Sequence, residues 1–243
     1  MYKNWNVMAL IPARGGSKGV PHKNLKLLAG IPLVAHSILV AQQSKHIDRI
    51  VVSTDSQEIG DISEKYGAEV PFLRPVELAE DFTPDFPVVE HCLKWFVENE
   101  NYSPDIVVHL RPTGPLRTVE EIEDGIKHLC DQPNSDSVRS VNEPHQSPYK
   151  MWKQDGDFLT PLLSLDNIHE PYNAPRQILP KVFETNANIG VVWKKTIDQK
   201  KSILGDNVLP LVTKGAVVDI DDEFDFTIAE QILKDRKIQR ESE

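Results

Sequence analysis

The feature that most constrains this chain is the regular alternation of short apolar runs with segments of helical spacing. Val7–Pro12, "RIVVS" (49–53), "DIVVHL" (105–110) and "DSVRSV" (136–141) are short and rich in β-branched residues, as buried strands are. Between them lies "GIPLVAHSILVAQQS", where Pro32 suits a first helical turn and Ile31, Val34, Ala35, Ile38 and Leu39 share one face. "DSQEIGDISEKYG" is a helix closed by Gly67, "DFPVVEHCLKWFVEN" has helical spacing, and Thr118 with Glu121 makes a capping box for "TVEEIEDGIKHLC". "AEVPFL" (68–73) reads as one more short strand. Strands separated by helices imply an α/β fold with a mostly parallel sheet covered on both faces. Its ligands then sit beyond the carboxyl ends of the strands.

At 243 residues the chain suits one core with an appendage. The appendage is expected at about 142–182, where proline and polar residues replace the alternation and Asp155-Gly156 signals a hairpin turn. "VFETNANIGVVW" returns to strand character, "VLPLVTKGAVVDID" supplies further strands, and "EFDFTIAEQILKDRK" closes the chain as a helix. The net charge of −10 excludes non-specific binding to nucleic acid or to anionic lipid. The N-terminus has no leader pattern and no run is long enough to cross a bilayer, so a cytoplasmic protein is expected. Cys92 and Cys130, both in helical patterns, read as buried reduced thiols.

Against that acidic background the loop after the first strand, "IPARGGSKGVPHKN", is a basic exception. Its order of glycine, serine and lysine fits neither the Walker loop nor the dinucleotide fingerprint. Glycines nevertheless let backbone N–H groups approach an anion, and Arg14 and Lys23 neutralise several negative charges at once, which describes a polyphosphate site. Near the other end, in "VVDIDDEFD", Asp219 and Asp221 alternate along an expected strand and so project to one face. Two hard oxygen ligands of this kind suit Mg²⁺, which takes one or two carboxylates together with substrate phosphates. His91, His109 and His128 have no metal-ligand spacing and read as core or surface histidines, and Trp95 and Phe96 as core.

These stretches, taken in order, resemble the acylneuraminate cytidylyltransferases, the CMP-sialic acid synthetases. "IPARGGSKGVPHKN" is similar to the family's opening signature, "VVSTDSQEI" to its second-strand motif and "RPVELAEDFTP" to its base-side loop. "PTGPLR" is similar to the motif after the fourth strand, "APRQILP" to the arm motif and "VDID" to the metal motif. The resemblance implies a three-layer, Rossmann-like nucleotidyltransferase architecture with a protruding dimerisation arm. It implies CTP and a nine-carbon 2-keto acid sugar as substrates, Mg²⁺ as cofactor and a homodimer.

By the same resemblance Arg14, Ser17, Lys23, Asn24, Arg74, Leu78, Ala79 and Asp81 bind the nucleotide, and Asp219 and Asp221 hold the metal. Arg111, Thr113, Lys150, Arg176, Gln177 and Asn186 face the sugar. Catalysis falls to Arg14, Lys23 and Asp221, with the proton taken by Asp221 or by hydroxide on the metal. Tyr149, Trp152 and Tyr172 in the arm suit a dimer contact. One departure stands out: sialic acid enzymes usually read "LQPTSPLR", whereas this chain reads "LRPTGPLR", with Arg111 and Gly114. A permanent cation there fits pairing with the sugar carboxylate, or a different sugar such as a legionaminate, a pseudaminate or another acid sugar. Use of another nucleoside triphosphate, and a non-catalytic nucleotide-binding module, are the alternative readings.

Overall fold

The computed structural model describes residues 2–242, apart from the side chains of 237 and 239–242. Its strands are β1 (Val7–Pro12), β2 (Leu27–Leu28), β3 (Ile31–Pro32), β4 (Arg49–Ser53), β5 (Ile106–His109), β6 (Ser137–Asn142), β7 (Trp152–Asp155), β8 (Phe158–Pro161), β9 (Glu184–Trp193) and β10 (Val208–Val212). Its helices are α1 (Leu33–Gln42), α2 (Gln57–Lys65), α3 (Asp85–Glu100), α4 (Val119–Asp131), α5 (Lys194–Lys200) and α6 (Glu223–Ser242). By the density of internal contacts the chain forms two compact units, one of residues 1–140 with 186–243 and one of residues 141–185.

The six-stranded sheet has the order β10-β6-β9-β5-β1-β4. β1 runs parallel to β4 and to β5, while β9 is antiparallel to β5. Side chains alternate across the pleat and so fill two cores. Val7, Ala9, Ile11, Val52, Ile106 and Val108 pack with Val34, Ile38, Ile59, Ile122 and Ile126 of α1, α2 and α4. On the opposite face Met8, Leu10, Val51, Val107 and Val192 pack with Val89, Cys92, Leu93 and Phe96 of α3 and with Ile197 of α5. The result is three layers, helix on sheet on helix. A third cluster joins Leu28 and Leu33 to Ile220, Phe226 and Ala229, and so seats α6.

Local chemistry explains where the helices begin and end. Ser56 caps α2 by accepting from Ile59 N, the Thr118–Glu121 capping box is formed on α4, and Gly67 takes a φ of +86° just past α2. Pro32 stands immediately before α1 and pairs in the small β2–β3 ladder, so it precedes the first turn. The expected strand over 68–73 is reduced to isolated bridges, Val51 to Glu69 and Thr54 to Leu73. Pro71 between them lacks the N–H that a ladder needs. Likewise β10 ends at Val212, and the stretch through Asp221 joins no ladder.

The unit of residues 141–185 carries the β7–β8 hairpin, whose turn places Gly156 at φ +58°. Phe158 and Leu159 stay exposed on it, and Trp152 packs on Tyr172 with ring centroids 4.5 Å apart. Cys92 is buried and Cys130 only half-buried, and both are free thiols. No described helix is long and apolar enough to cross a membrane.

Asp136, just before β6, ties three segments together. Its Oδ2 accepts from Asp206 N at 2.9 Å, Asn207 N at 2.8 Å and Lys200 Nζ at 2.7 Å. The Lys200 ammonium and these backbone N–H groups push the carboxyl down to about 2. Because the folded value lies below the ordinary one, this stabilisation is complete above pH ~4 and disappears as the pH falls through about 2. Asp136→Asn is expected to cost roughly 1–2 kcal/mol at neutral pH. It should also flatten the loss of stability between pH ~4 and ~2, as thermal unfolding at stepped pH would record.

Candidate active site

Because β1, β4 and β5 are parallel, the loops that follow them emerge on one edge of the sheet. These loops carry Arg14, then Asp55, then Arg111, and Arg74 joins them from the end of the bridged segment after α2. With Asn24, Leu78, Asp81, Asp85, Pro112 and Thr113, the three arginines line a cleft of about 210 Å³. Seven of the predicted residues therefore meet in one place: Arg14, Asn24, Arg74, Leu78, Asp81, Arg111 and Thr113.

The glycine loop is held from both sides by carboxylates. Arg14 Nη1 lies 2.8 Å from Asp81 Oδ1, and Lys18 pairs with the other oxygen of the same carboxylate. Lys18 and Arg14 together hold Asp81 below the usual carboxylate range. Asn24 donates to Arg14 O at 2.8 Å, and Asp55 Oδ1 accepts from Gly15 N at 2.8 Å, which fixes the loop's backbone. Ser17 lies half-buried between the glycines and Lys18, and Ala79 ends the short turn that carries Leu78. Arg74 is 5% exposed, and among the described residues its Nε and Nη2 have no hydrogen-bond partner. Burial lowers its pKa while Asp55, 3.9 Å away, partly restores it.

On the far side of the loop Lys23 Nζ donates to Ile220 O at 2.6 Å and lies 3.8 Å from Asp221 Oδ1. Ile220 N in turn donates to Thr113 O at 2.9 Å. Ile220 is buried in the third cluster while Asp219 and Asp221 on either side of it are exposed. Both carboxylates are thus left to solvent although no strand is present, because the residue between them is buried. Gly19 makes the approach possible: a Cβ there would stand 2.0 Å from Asp221 O. Among the described residues no group of three or more His, Cys, Asp or Glu side chains is assembled as a metal site. A pair of exposed carboxylates fits an ion that takes its other ligands from phosphate and water.

Arg117, which no sequence reasoning had assigned, holds the loop after β5. It is fully buried, and burial pushes its guanidinium down to about 9, which leaves it charged at neutral pH. Its Nε donates to Asn188 O at 2.8 Å, its Nη1 to Ser37 Oγ at 2.6 Å, and its Nη2 to Arg111 O. Gly114 stands where a Cβ would be 2.9 Å from Ala187 O and from Arg117 Nη2, which explains glycine in "PTGPLR". Arg111 itself is paired with Asp85, the first residue of α3. Burial opposes a charge on Asp85, but His109, Arg111 and Arg139 outweigh it and keep its carboxyl below the usual range. His109 is pushed the other way, downward, chiefly by burial.

A family model described as cytidylyltransferase matches residues 8–158. The chain belongs to the cytidylyltransferase family. It is 34% identical over 233 residues to the CMP-N,N'-diacetyllegionaminic acid synthase of Legionella pneumophila, covering 94% of this chain and 96% of that one. It is 31% identical over 235 residues to the N-acylneuraminate cytidylyltransferase of Escherichia coli, covering 96% of this chain and 54% of the relative. The solved structure of CMP:2-keto-3-deoxy-manno-octonic acid synthetase complexed with CTP superposes with a TM-score of 0.69 at 13% identity, covering 95% and 99%. That last likeness shows the fold.

The remaining expected residues of this cytidylyltransferase lie elsewhere. Asn186 is 7% exposed, and its amide is engaged by Ser140 Oγ at 2.5 Å and Thr213 Oγ1 at 3.1 Å. Lys150, Arg176 and Gln177 belong to the unit of residues 141–185. There Arg176 Nη2 donates to Pro144 O at 2.9 Å, and Arg176 and Gln177 line a cavity of about 330 Å³ with Glu143, Ser147 and Lys181.

Two substitutions test this geometry. Gly19→Ala should leave the fold intact but force the loop from Asp221, weakening nucleotide binding about tenfold or more in calorimetric titration with CTP. Arg117→Lys should cost about 3 kcal/mol or more in denaturant unfolding, because one ammonium cannot serve the carbonyls that the guanidinium reaches.

Proposed function

We propose that this enzyme transfers the cytidylyl group of CTP to the anomeric hydroxyl of a nine-carbon 2-keto acid sugar, a sialic acid or related nonulosonate, and releases pyrophosphate. The observation that carries this reading is the pairing of Arg14 and Lys18 with Asp81 at one side of the glycine loop and of Lys23 with Asp221 at the other. A polyphosphate replacing Asp81 meets cations already in position. The legionaminic and neuraminic acids named in the relatives direct the reading to acid sugars.

In the reaction the hydroxyl oxygen attacks the α-phosphorus, the bond to the β-phosphate oxygen breaks, and pyrophosphate departs in line. Arg14, Lys18 and Lys23 stabilise the charge that moves toward the leaving group. Arg74, whose Nε and Nη2 lack hydrogen bonds, presents buried donors from the floor of the cleft. Asn24 keeps Arg14 in place through its carbonyl. Asp219 and Asp221 would hold Mg²⁺, which when bound neutralises phosphate charge and acidifies the attacking hydroxyl. Asp221, exposed beside Lys23, takes the proton from that hydroxyl.

The arm residues Lys150, Arg176 and Gln177 serve the sugar site of a second copy, in a homodimer. Exposed Phe158 and Leu159 and the Trp152–Tyr172 stack support this assembly. Free Cys92 and Cys130 suit a reducing cytoplasm.

Pyrophosphate release measured over the four nucleoside triphosphates and a set of nonulosonates should appear only with CTP and a 2-keto acid sugar. Its absence with every such sugar would overturn the assignment. Asp221→Asn should lower turnover at least 10³-fold, in the range of lost charge stabilisation, while part of the CTP affinity survives on the loop cations. Arg111→Gln should change the ratio of kcat/KM between sugars, and an unchanged ratio would remove Arg111 as a selector.

A further inference from the structure

On the α3 side of the sheet, where β5, β9 and β6 run side by side, lies a polar cluster outside the glycine loop. Arg139 of β6, Gly190 of β9 and His109 of β5 stand on three neighbouring strands, and the β5–β9 register sets His109 opposite Gly190. A Cβ at Gly190 would lie 3.4 Å from Arg139 Nη1 and 3.7 Å from His109 Cβ. The absent side chain is therefore the room through which Arg139 crosses the sheet. At the end of that path Arg139 interacts electrostatically with Arg111, Asp85 and Asp219.

The charges of this cluster do not balance. Arg111 is paired with Asp85, and both line the cleft. Among the described residues Arg139 has no ion pair, and its Nε is buried without a hydrogen-bond partner. Burial keeps His109 neutral near neutral pH, so it adds no charge. Asp85 is taken by Arg111, and Asp219, the other carboxylate in range of Arg139, is one that the proposed reaction gives to Mg²⁺; with the metal held there Arg139 is left half out of water, where an uncompensated cation is costly unless an anion completes it. The triphosphate is met by Arg14 and Lys18 in the loop after β1, and β1 is separated from β6 by β5 and β9. The anion at Arg139 is then a second one, and a 2-keto acid sugar brings one anion, its carboxylate.

We infer that Arg139, laid across Gly190 and flanked by the Arg111–Asp85 pair, is the residue that recognises the carboxylate of the acid sugar and so selects acid sugars over neutral ones. This inference rests on the reaction proposed above. Arg111, neutralised by Asp85, shapes the same end of the cleft without supplying the spare charge.

The test compares the acid sugar with its C1 carboxamide as acceptors, using the full chain, CTP and Mg²⁺. Arg139→Met should raise the KM for the acid about 10- to 100-fold, as loss of a charge-assisted hydrogen bond does, and leave the KM for CTP within about 2-fold. The preference for acid over amide should collapse, and Arg139→Lys should restore part of it. Gly190→Ala, which only displaces Arg139, should act in the same direction with a smaller size and keeps the test open if Arg139→Met fails to fold. An unchanged acid-to-amide ratio, or an effect on CTP instead of the sugar, overturns the role of Arg139 while the reaction stands. No CTP-dependent pyrophosphate release by the unaltered protein with any 2-keto acid sugar removes both.

Discussion

The site depends first on a buried arginine that has no carboxylate partner among the described residues. The charge on Arg117 is solvated by carbonyl dipoles and one hydroxyl, and those partners belong to α1, to β9 and to the loop after β5. A single rigid fork therefore sets the distance between the strand edge and the residues that line the cleft. Lysine has the charge but not the planar spread of donors. From that fixed loop, Thr113 O holds Ile220 N, and Ile220 in turn places the two aspartates. The order of dependence runs from a structural cation, through a backbone hydrogen bond, to the acidic pair.

The second constraint is electrostatic. A chain of net charge −10 builds a cationic loop and must keep it in one conformation when no phosphate is present. Asp81 does so by accepting from Arg14 and Lys18 together. An internal carboxylate standing in for phosphate lowers the affinity for any weak anion, since the ligand must first displace it. Discrimination in favour of a highly charged ligand follows from that competition.

Periodicity made most of the fold legible in the sequence. The alternation of apolar runs and helical faces located the strands that build the sheet, and the Thr118–Glu121 box and Gly67 marked helix ends where local chemistry decides them. Two strand expectations failed where backbone hydrogen bonds go elsewhere: Pro71 breaks the segment after α2, and Ile220 N is taken by Thr113 O. The cleft residues were legible because the motifs that carry them are contiguous. Arg117, Asp85 and Arg139 were not, because their meaning lies in partners remote in sequence. Nothing in "DSVRSV" indicates that Arg139 needs a glycine at 190 to lie across.

The hydrogen bond of Lys23 to Ile220 joins residues 197 apart in the chain. Loop closure of that span comes late, since each long-range contact costs chain entropy before it contributes. During synthesis, then, the basic loop exists long before the acids that complete it. A nascent chain meets Asp81, the partner of Arg14 and Lys18, well before Asp221, the partner of Lys23, so the two halves of the loop's electrostatic support are made at separate times.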